Sequence, residues 1–220
     1  MVLSAEEARV VACLIEKETT VPDSYPLTLN ALRLACNQSS NRDPIVAYDD
    51  RTVEAALLSL KSMGLVRFVH PSHGGRTIRY RHVAGERWRL SPAELGVLAV
   101  LVLRGPQTVG EVRSRAERHL GDESVGTVEE ILDTLAARSP DPFAVRVERR
   151  PSEREGRWAH ALSGPPDVAV LEAWSARVEP QPSMEPGAAE QSDLARDVAE
   201  LWLRVERLER LLGLAEDLSS

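Results

Sequence analysis

The chain of 220 residues contains the same block twice, and this internal repeat constrains its fold more than any other feature. The run "LSAEEARVVACLI" from Leu3 aligns with "LSPAELGVLAVLV" from Leu90, and "TVEAALLSL" from Thr52 aligns with "TVEEILDTL" from Thr127. In each copy a strand-like run, a polar turn and a second strand-like run follow. The repeat therefore predicts two similar domains in tandem.

Each copy opens with residues that start a helix. Ser4 with Glu7, and Ser91 with Glu94, have the spacing of a capping box, in which each side chain bonds the backbone N–H of the other residue. Apolar residues then recur at helical spacing. These are Ala8, Val11, Ala12 and Ile15 in the first copy and Leu95, Leu98, Ala99 and Val102 in the second.

The remaining elements complete the same order in both copies. A shorter second helix carries Leu29, Leu32 and Cys36 in the first copy and Val109, Val112 and Ala116 in the second. A third helix follows, which in the first copy runs from Arg51 to Met63 and stops at Gly64. Two strands joined by "SHGG" or "SEREG" form a hairpin. Three helices followed by a hairpin is the order of a winged-helix domain. We expect a mainly α fold with small β-hairpins (α+β), with tandem winged-helix domains at 1–88 and 89–163.

Two sequence blocks also resemble a known family. "LTLNALRLACNQSSNRDP" followed by "VEAALLSLKSMGLV" is similar to the bacterial YceH-like family, and the similarity covers about residues 1–165. The resemblance implies a tandem winged-helix fold and implies no particular activity.

The polar run "CNQSSNRDPIVAYDD", residues 36–50, belongs to a connection that is longer in the first copy than in the second. Its Asn and Ser side chains are expected to bond their own backbone in turns, and its final Asp residues to cap the third helix. Ile45–Ala47 is a candidate short strand beside the hairpin. Arg42 lies where such folds often contact a phosphate, so it is a candidate DNA contact.

Charge is distributed unevenly along the chain. The net charge of −7 comes from the tail, because residues 164–220 carry 5 Lys/Arg against 12 Asp/Glu, whereas residues 1–90 carry 12 against 10. Residues 65–90 hold six Arg against one acid, Glu86. The sequence therefore predicts a DNA-binding surface in the first domain. Its candidate residues are Arg42, Arg51, Lys61, Arg67, His73, Arg76, Arg79 and Arg81.

The alternative for these arginines is a solvated strand face without a nucleic-acid partner. The outward face of the third helix is a poor reader of bases, since Glu54 repels phosphates and Leu58 forms no hydrogen bond. In the second copy the corresponding face carries Glu129, Glu130 and Asp133, which favours a protein partner. The preferred interpretation is a DNA-associated transcriptional regulator; the alternative is a protein-interaction scaffold without DNA contact.

The tail changes in composition after the second copy. Residues 164–191 read as a short amphipathic helix and a Pro/Glu-rich linker, and residues 192–216 as an amphipathic helix with spacings of four and three. This pattern predicts a homodimeric coiled coil; a helix that folds back onto its own domain would show the same stripe. The stripe comprises Leu194, Val198, Leu201, Val205, Leu208 and Leu212.

Enzyme chemistry is not indicated. His70, His73 and His82 match no standard metal-site spacing, and the sequence has no glycine-rich phosphate loop or nucleophile elbow. We expect no catalytic residue, metal or cofactor, and buried thiols at Cys13 and Cys36. The absence of a long apolar segment and of a signal peptide at the start predicts a cytoplasmic protein without membrane contact.

Overall fold

A computed structural model describes residues 2–71, 77–120, 125–149 and 155–164, with the side chains of 125–127 excepted. All of them belong to one compact unit, Met1–Trp174. The linker that was expected at 164–191, apart from Gly164, and the heptad helix at 192–216 lie outside the described residues. No helix in the described ranges is both long enough and apolar enough to cross a membrane.

The first copy contains the predicted three helices and hairpin. Its helices are α1 (Ala5–Thr20), α2 (Leu29–Cys36) and α3 (Asp50–Ser62), and its strands are β1 (Leu27–Thr28), β2 (Val66–Val69) and β3 (Arg79–His82). The capping box of Ser4 and Glu7 is present, Asp49 caps α3, and Gly64 after that helix has a φ of 73°. These ends confirm the helix starts and the stop that the sequence predicts.

A short helix, α4 (Ala84–Trp88), precedes the second copy, which repeats the order. Its elements are α5 (Pro92–Arg104), α6 (Val109–Leu120), α7 (Val125–Ala136), β4 (Ala144–Val147) and β5 (Arg157–His160). The second capping box, Ser91 with Glu94, is also present. The fold is therefore mixed helical with small antiparallel sheets, which confirms the α+β class; the winged-helix interpretation of each copy stays a prediction.

Both copies extend the hairpin in the same way. In the first, β1 pairs with β3 to give the strand order β1-β3-β2, with Leu27 opposite Tyr80. In the second, Gln107 exchanges two backbone hydrogen bonds with Trp158 of β5, at 2.9 and 2.7 Å. In each case the residue two positions before the second helix pairs with the last strand, so the repeat extends to a contact that its aligned blocks did not include.

The sequence predicts a third strand at Ile45–Ala47, and this prediction is wrong. No strand forms there, and Ile45 is 63% exposed. The chain at this point is held elsewhere, because the Asp43 amide donates to the Leu103 carbonyl at 2.8 Å and Arg9 donates to the Pro44 carbonyl at 2.5 Å. Leu27, which is buried, takes the strand position instead.

Helices α1 and α5 pack against each other and form the centre of a core that both copies share. Every residue of α1 from Ala8 to Ile15 and every residue of α5 from Leu95 to Leu103 is buried. The sequence predicts only one buried stripe on each helix. A helix that is buried on all sides needs partners on both faces, and the second partner is the equivalent helix of the other copy.

The charged side chains of α1 hold the long connection in place. Arg42 is buried, its guanidinium meets both carboxylate oxygens of Glu16 at 2.5 and 3.1 Å, and it donates to the Ala35 carbonyl at 3.0 Å and to Gln38 at 2.7 Å. Burial opposes the charge of Glu16, but the hydrogen bond from Arg42 lowers the pKa of Glu16 overall. The assignment of Arg42 as a DNA contact is therefore corrected, since all its donors face the protein interior.

Replacing Arg42 with Met should lower the free energy of unfolding by about 3 kcal/mol or more, because the largely enclosed Glu16 carboxylate loses its two bonds to Arg42 and keeps only Lys17 at 3.3 Å. Urea denaturation followed by circular dichroism measures this. Arg33→Met is the matched control, since Arg33 pairs with the exposed Asp50, and should cost less than about 1 kcal/mol. Equal losses in the two variants would contradict the structural role of Arg42.

Stability should fall as the pH decreases from about 6.5 to about 4. Burial, followed by the charge of Arg9, lowers the pKa of His160 to about 4, and burial also lowers the pKa of His82 and His119. An unfolded histidine has a pKa of about 6.5, so in this window the unfolded chain binds protons that the native state does not. For each such proton, the free energy of unfolding falls by up to roughly 1.4 kcal/mol per pH unit.

Urea denaturation at a series of pH values checks this slope. His160→Gln should flatten it by one proton, whereas His70→Gln, at an exposed position, should leave it unchanged. An unaltered slope in His160→Gln would show that this histidine does not contribute.

Candidate nucleic-acid interface

The register of the first hairpin places three arginines on one face of the sheet. Arg67 lies directly opposite Arg81, and Val69 lies opposite Arg79. Residues that are opposite each other, or two apart on one strand, share a face. The sequence predicts this arrangement from the alternation along β3, and the pairing with β2 adds Arg67 to the same side.

The other face of the hairpin is apolar and packs against the core. Val66, Tyr80 and His82 are buried, and the rings of Phe68 and Tyr80 meet edge to face with centroids 4.9 Å apart. His82 Nε2 lies 2.8 Å from a carboxylate oxygen of Glu18 in α1. These contacts fix which side of the hairpin faces outward, so the arginines are presented to solvent by the packing behind them.

Of the acids that the structure describes, one, Glu86, pairs with these arginines. Glu86 of α4 lies 3.2 Å from Arg67 and 3.7 Å from Arg81, and all three side chains are exposed by 40% or more. Arg79 pairs with no acid in the described ranges, and it donates to the Pro26 carbonyl at 2.8 Å. One carboxylate therefore opposes three guanidinium groups on this face.

Two further cations lie beside the hairpin. Lys61, Arg67 and Arg87 line a shallow surface groove together with Phe68 and Glu86. The Lys61 ammonium lies 4.4 Å from the centroid of the Phe68 ring, and Arg87 donates to the Met63 carbonyl at 3.3 Å. Because Phe68 and Arg67 lie on opposite sides of the sheet, the group extends from the arginine side around the edge strand β2, and we refer to the whole group as the basic face. It consists of Lys61, Arg67, Arg79, Arg81 and Arg87.

Arg87 is the member that sequence reasoning missed. It belongs to the Arg-rich stretch at 65–90, but it follows the hairpin, and the short helix α4 was not expected. The signal was the stretch itself, which includes Arg87 whatever its secondary structure. Only the turn of α4 beside Gly64 brings this side chain next to Arg67.

The other predicted contacts fall in different places. Arg51 is exposed at the first turn of α3, about 15 Å along the helix from Lys61, and is not part of the basic face. His73 and Arg76 lie outside the described residues. The outward side of α3 is as predicted: Glu54 is exposed and Leu58 is 60% exposed.

The second hairpin does not collect arginines in the same way. Arg146 of β4 lies opposite Trp158, whereas Arg157 lies opposite Val147, so the two arginines are on opposite faces of the sheet. Arg157 also pairs with Glu111 of α6 at 2.7 Å. Helix α7 exposes Glu129, Glu130 and Asp133, as the sequence predicts. Of the hairpin residues that the structure describes, only those of the first copy concentrate positive charge.

A second polar side chain of the long connection, Asn37, also bonds within the protein. The Asn37 side chain donates to the Tyr48 carbonyl at 2.8 Å and accepts from the Tyr48 amide at 2.9 Å. This pairing closes the connection in the manner of a strand pair. Cys13 and Cys36 are buried free thiols, as expected. Within the described ranges no group of three or more His, Cys, Asp or Glu side chains is placed to hold a metal ion.

Comparison with known proteins identifies relatives across most of the chain. Residues 3–153 match the model of a family described as a protein of unknown function, DUF480. A UPF0502 protein of Geobacter sulfurreducens is 48% identical over 172 residues, which cover 78% of this chain and 77% of the relative. A UPF0502 protein of Leptothrix cholodnii is 40% identical over 224 residues, which cover 98% and 97%. The narrower YceH-like assignment stays a prediction. Identity of this extent establishes common descent with these relatives. The chain therefore belongs to the UPF0502 (DUF480) family of bacterial proteins.

Proposed function

We propose that this protein binds double-stranded DNA through the basic face of its first copy and acts as a DNA-associated regulator of the winged-helix type. The observation that carries the proposal is the placement of Arg67, Arg79 and Arg81 on one solvent-facing side of the hairpin, with Glu86 as the single acid among them. In winged-helix proteins this hairpin is the wing, which contacts phosphates.

A purely structural role does not account for this arrangement. Like charges directly opposite each other destabilise a strand pair, and Arg67 lies opposite Arg81. Glu86 offsets only part of this repulsion, because exposed ion pairs contribute at most about 1 kcal/mol. Phosphate groups would neutralise the remaining charge, and guanidinium groups bind phosphate with two parallel hydrogen bonds.

The chemistry of the neighbouring helix favours binding without sequence selectivity. Glu54 and Leu58 on the outward side of α3 offer neither the positive charge nor the donors that read base edges. Phosphate contacts position a protein on the duplex and carry no sequence information of their own. We therefore expect affinity that depends strongly on salt and weakly on base sequence.

Binding of the full chain to a labelled random-sequence duplex, measured by fluorescence anisotropy, tests the proposal. With about four phosphates neutralised, the log–log salt slope should be near −3.6. The combined change Arg67→Ala, Arg79→Ala and Arg81→Ala should remove about three phosphate contacts. The salt slope should become shallower by about 0.9 for each lost contact, and binding at low salt should weaken at least tenfold.

The matched control removes three charges from the second copy. Arg113→Ala, Arg146→Ala and Arg149→Ala alter the net charge equally at exposed positions outside the basic face. This variant should keep most of the affinity and the slope. A wild-type chain that does not bind duplex at low salt, or equal losses in both triple variants, would refute DNA binding through the basic face.

A protein-interaction scaffold is the second candidate function. It is favoured by exposed apolar side chains on the first copy, Leu34 at 55% and Leu58 at 60%, and by the acidic outward side of α7 in the second. Both surfaces suit a protein partner better than a duplex. Failure of the DNA test with retained fold would leave this function as the better supported one.

We also propose that the chain forms a homodimer through its C-terminal heptad residues. Support comes from the sequence pattern, with Val, Val and Leu at one heptad position and Leu three times at the other, as two-stranded coiled coils prefer. The alignment with the Leptothrix relative extends over 98% of this chain, so that protein has a counterpart of this segment.

Light scattering on the chain with and without residues 190–220 tests the dimer. The full chain should have twice the monomer mass, and the shortened chain should be monomeric. Leu201→Asp with Leu208→Asp should give the same result without truncation, because charges at core heptad positions oppose pairing. Equal masses for all three proteins would refute the coiled coil.

A further inference from the structure

A pocket of about 310 Å³ lies where the two copies meet, away from the residues of the basic face. Its walls come from α1, the long connection, α5 and α6. The volume lies at the lower end of the range for small-molecule sites. Several of its lining side chains are cations or hydrogen-bond donors: Asn41, Arg104, Ser114, Arg115, Arg118 and His119.

Arg104 is the central feature of this pocket. It ends α5, it is half-buried, and within the described part of the chain it makes no hydrogen bond or ion pair. Burial, followed by repulsion from Arg115, lowers the pKa of Arg104. The charge of Glu16 acts in the opposite direction and offsets only part of this effect. A half-buried guanidinium that no described residue bonds is unfavourable, and an anion in the pocket would reduce that cost.

The surrounding charges leave the pocket positive. Arg115 donates to the Gln107 side chain, which is neutral, and Arg118 is exposed at the pocket rim. Glu16 also lines the pocket, but its two oxygens are bound by Arg42. Among the described lining residues, three guanidinium groups therefore face two carboxylates, Glu16 and Glu117, and Glu16 is already paired with Arg42.

The backbone brings these groups together in a defined way. Asn41 has a φ of 60°, a conformation that Asn tolerates better than most residues, and this turn places it at the pocket. The His119 ring packs against Gly96, where a Cβ would come within 2.2 Å of the His119 Cβ. The absence of a side chain at Gly96 thus lets α6 approach α5 closely and sets the pocket's wall.

We propose that this pocket binds the phosphoryl group of a small metabolite, with Arg104, Arg115 and Arg118 as its ligands and Asn41 as a neutral donor. A dianion matches the uncompensated charge, and guanidinium groups bind phosphoryl oxygens in pairs. Because the walls belong to both copies, the bound anion strengthens the contact between them. This site does not depend on DNA binding.

Isothermal titration calorimetry on the full chain tests the proposal with inorganic phosphate, glycerol 3-phosphate and glycerol as probes. The two phosphate compounds should bind saturably with one site per chain, and glycerol should not bind. A stronger response to glycerol 3-phosphate than to inorganic phosphate would identify an organic phosphate as the natural class. Saturable binding of inorganic phosphate alone would overturn the metabolite and leave a simple anion site.

Substitutions distinguish this pocket from general charge. Arg104→Gln and Arg118→Gln should each weaken glycerol 3-phosphate about tenfold or more, whereas Arg113→Gln, on α6 but not in the lining, should change it less than twofold. Equal losses in Arg113→Gln, or no saturable binding by the wild type, would refute the site. Arg118→Gln keeps the test informative if Arg104→Gln does not fold, because Arg118 is exposed.

The variants of the basic face provide the last comparison. The chain that carries Arg67→Ala, Arg79→Ala and Arg81→Ala should bind glycerol 3-phosphate as the wild type does. A parallel loss would mean that the titration reports the basic face and would refute the pocket. The failure of DNA binding and the failure of anion binding are therefore separate results.

Discussion

The packing of α1 against α5 is the interaction on which the rest of the structure depends. Both helices are buried on all sides over eight or nine consecutive residues, Ala8–Ile15 and Leu95–Leu103, so neither can be covered by its own copy alone. Their contact joins the two copies into one core, in which residues from Leu3 to Leu162 are buried together. A consequence is that the surfaces beside this contact, including the pocket around Arg104, exist only when both copies are present.

Two charged residues of α1, Arg9 and Glu16, hold the long connection in place. Arg9 donates to the Pro44 carbonyl, and Glu16 binds Arg42 in two places. Charged groups inside a core are costly unless their partners are complete, so these contacts specify where the connection lies. The Asn-rich run therefore chiefly holds α1, α2 and α5 together, and Asn41 at its surface lines the pocket around Arg104.

The two copies share a framework and differ in their surfaces. Local signals in the sequence were sufficient for the framework, because capping boxes, helical periodicity and alternating strands act over a few residues. They were also sufficient for the arginine alternation in β3. They were not sufficient for Arg42, which was assigned to solvent and is buried, or for Ile45–Ala47, which forms no strand. Both errors concern a connection whose position is set by residues distant in sequence.

The sequence by itself determined the order of the three main helices and the hairpin in each copy, the starts of the main helices and the concentration of arginine between residues 65 and 90, since each of these is encoded locally. Only the tertiary structure decided which arginines are buried in internal pairs and which are accessible to a ligand. It enclosed Arg42 beside Glu16, added Arg87 to the basic face through α4, and placed Arg104 in the pocket between the copies, where no described residue bonds its guanidinium. The physical reason is that the burial and pairing of a charged group depend on helices packed from far along the chain, which no local pattern records.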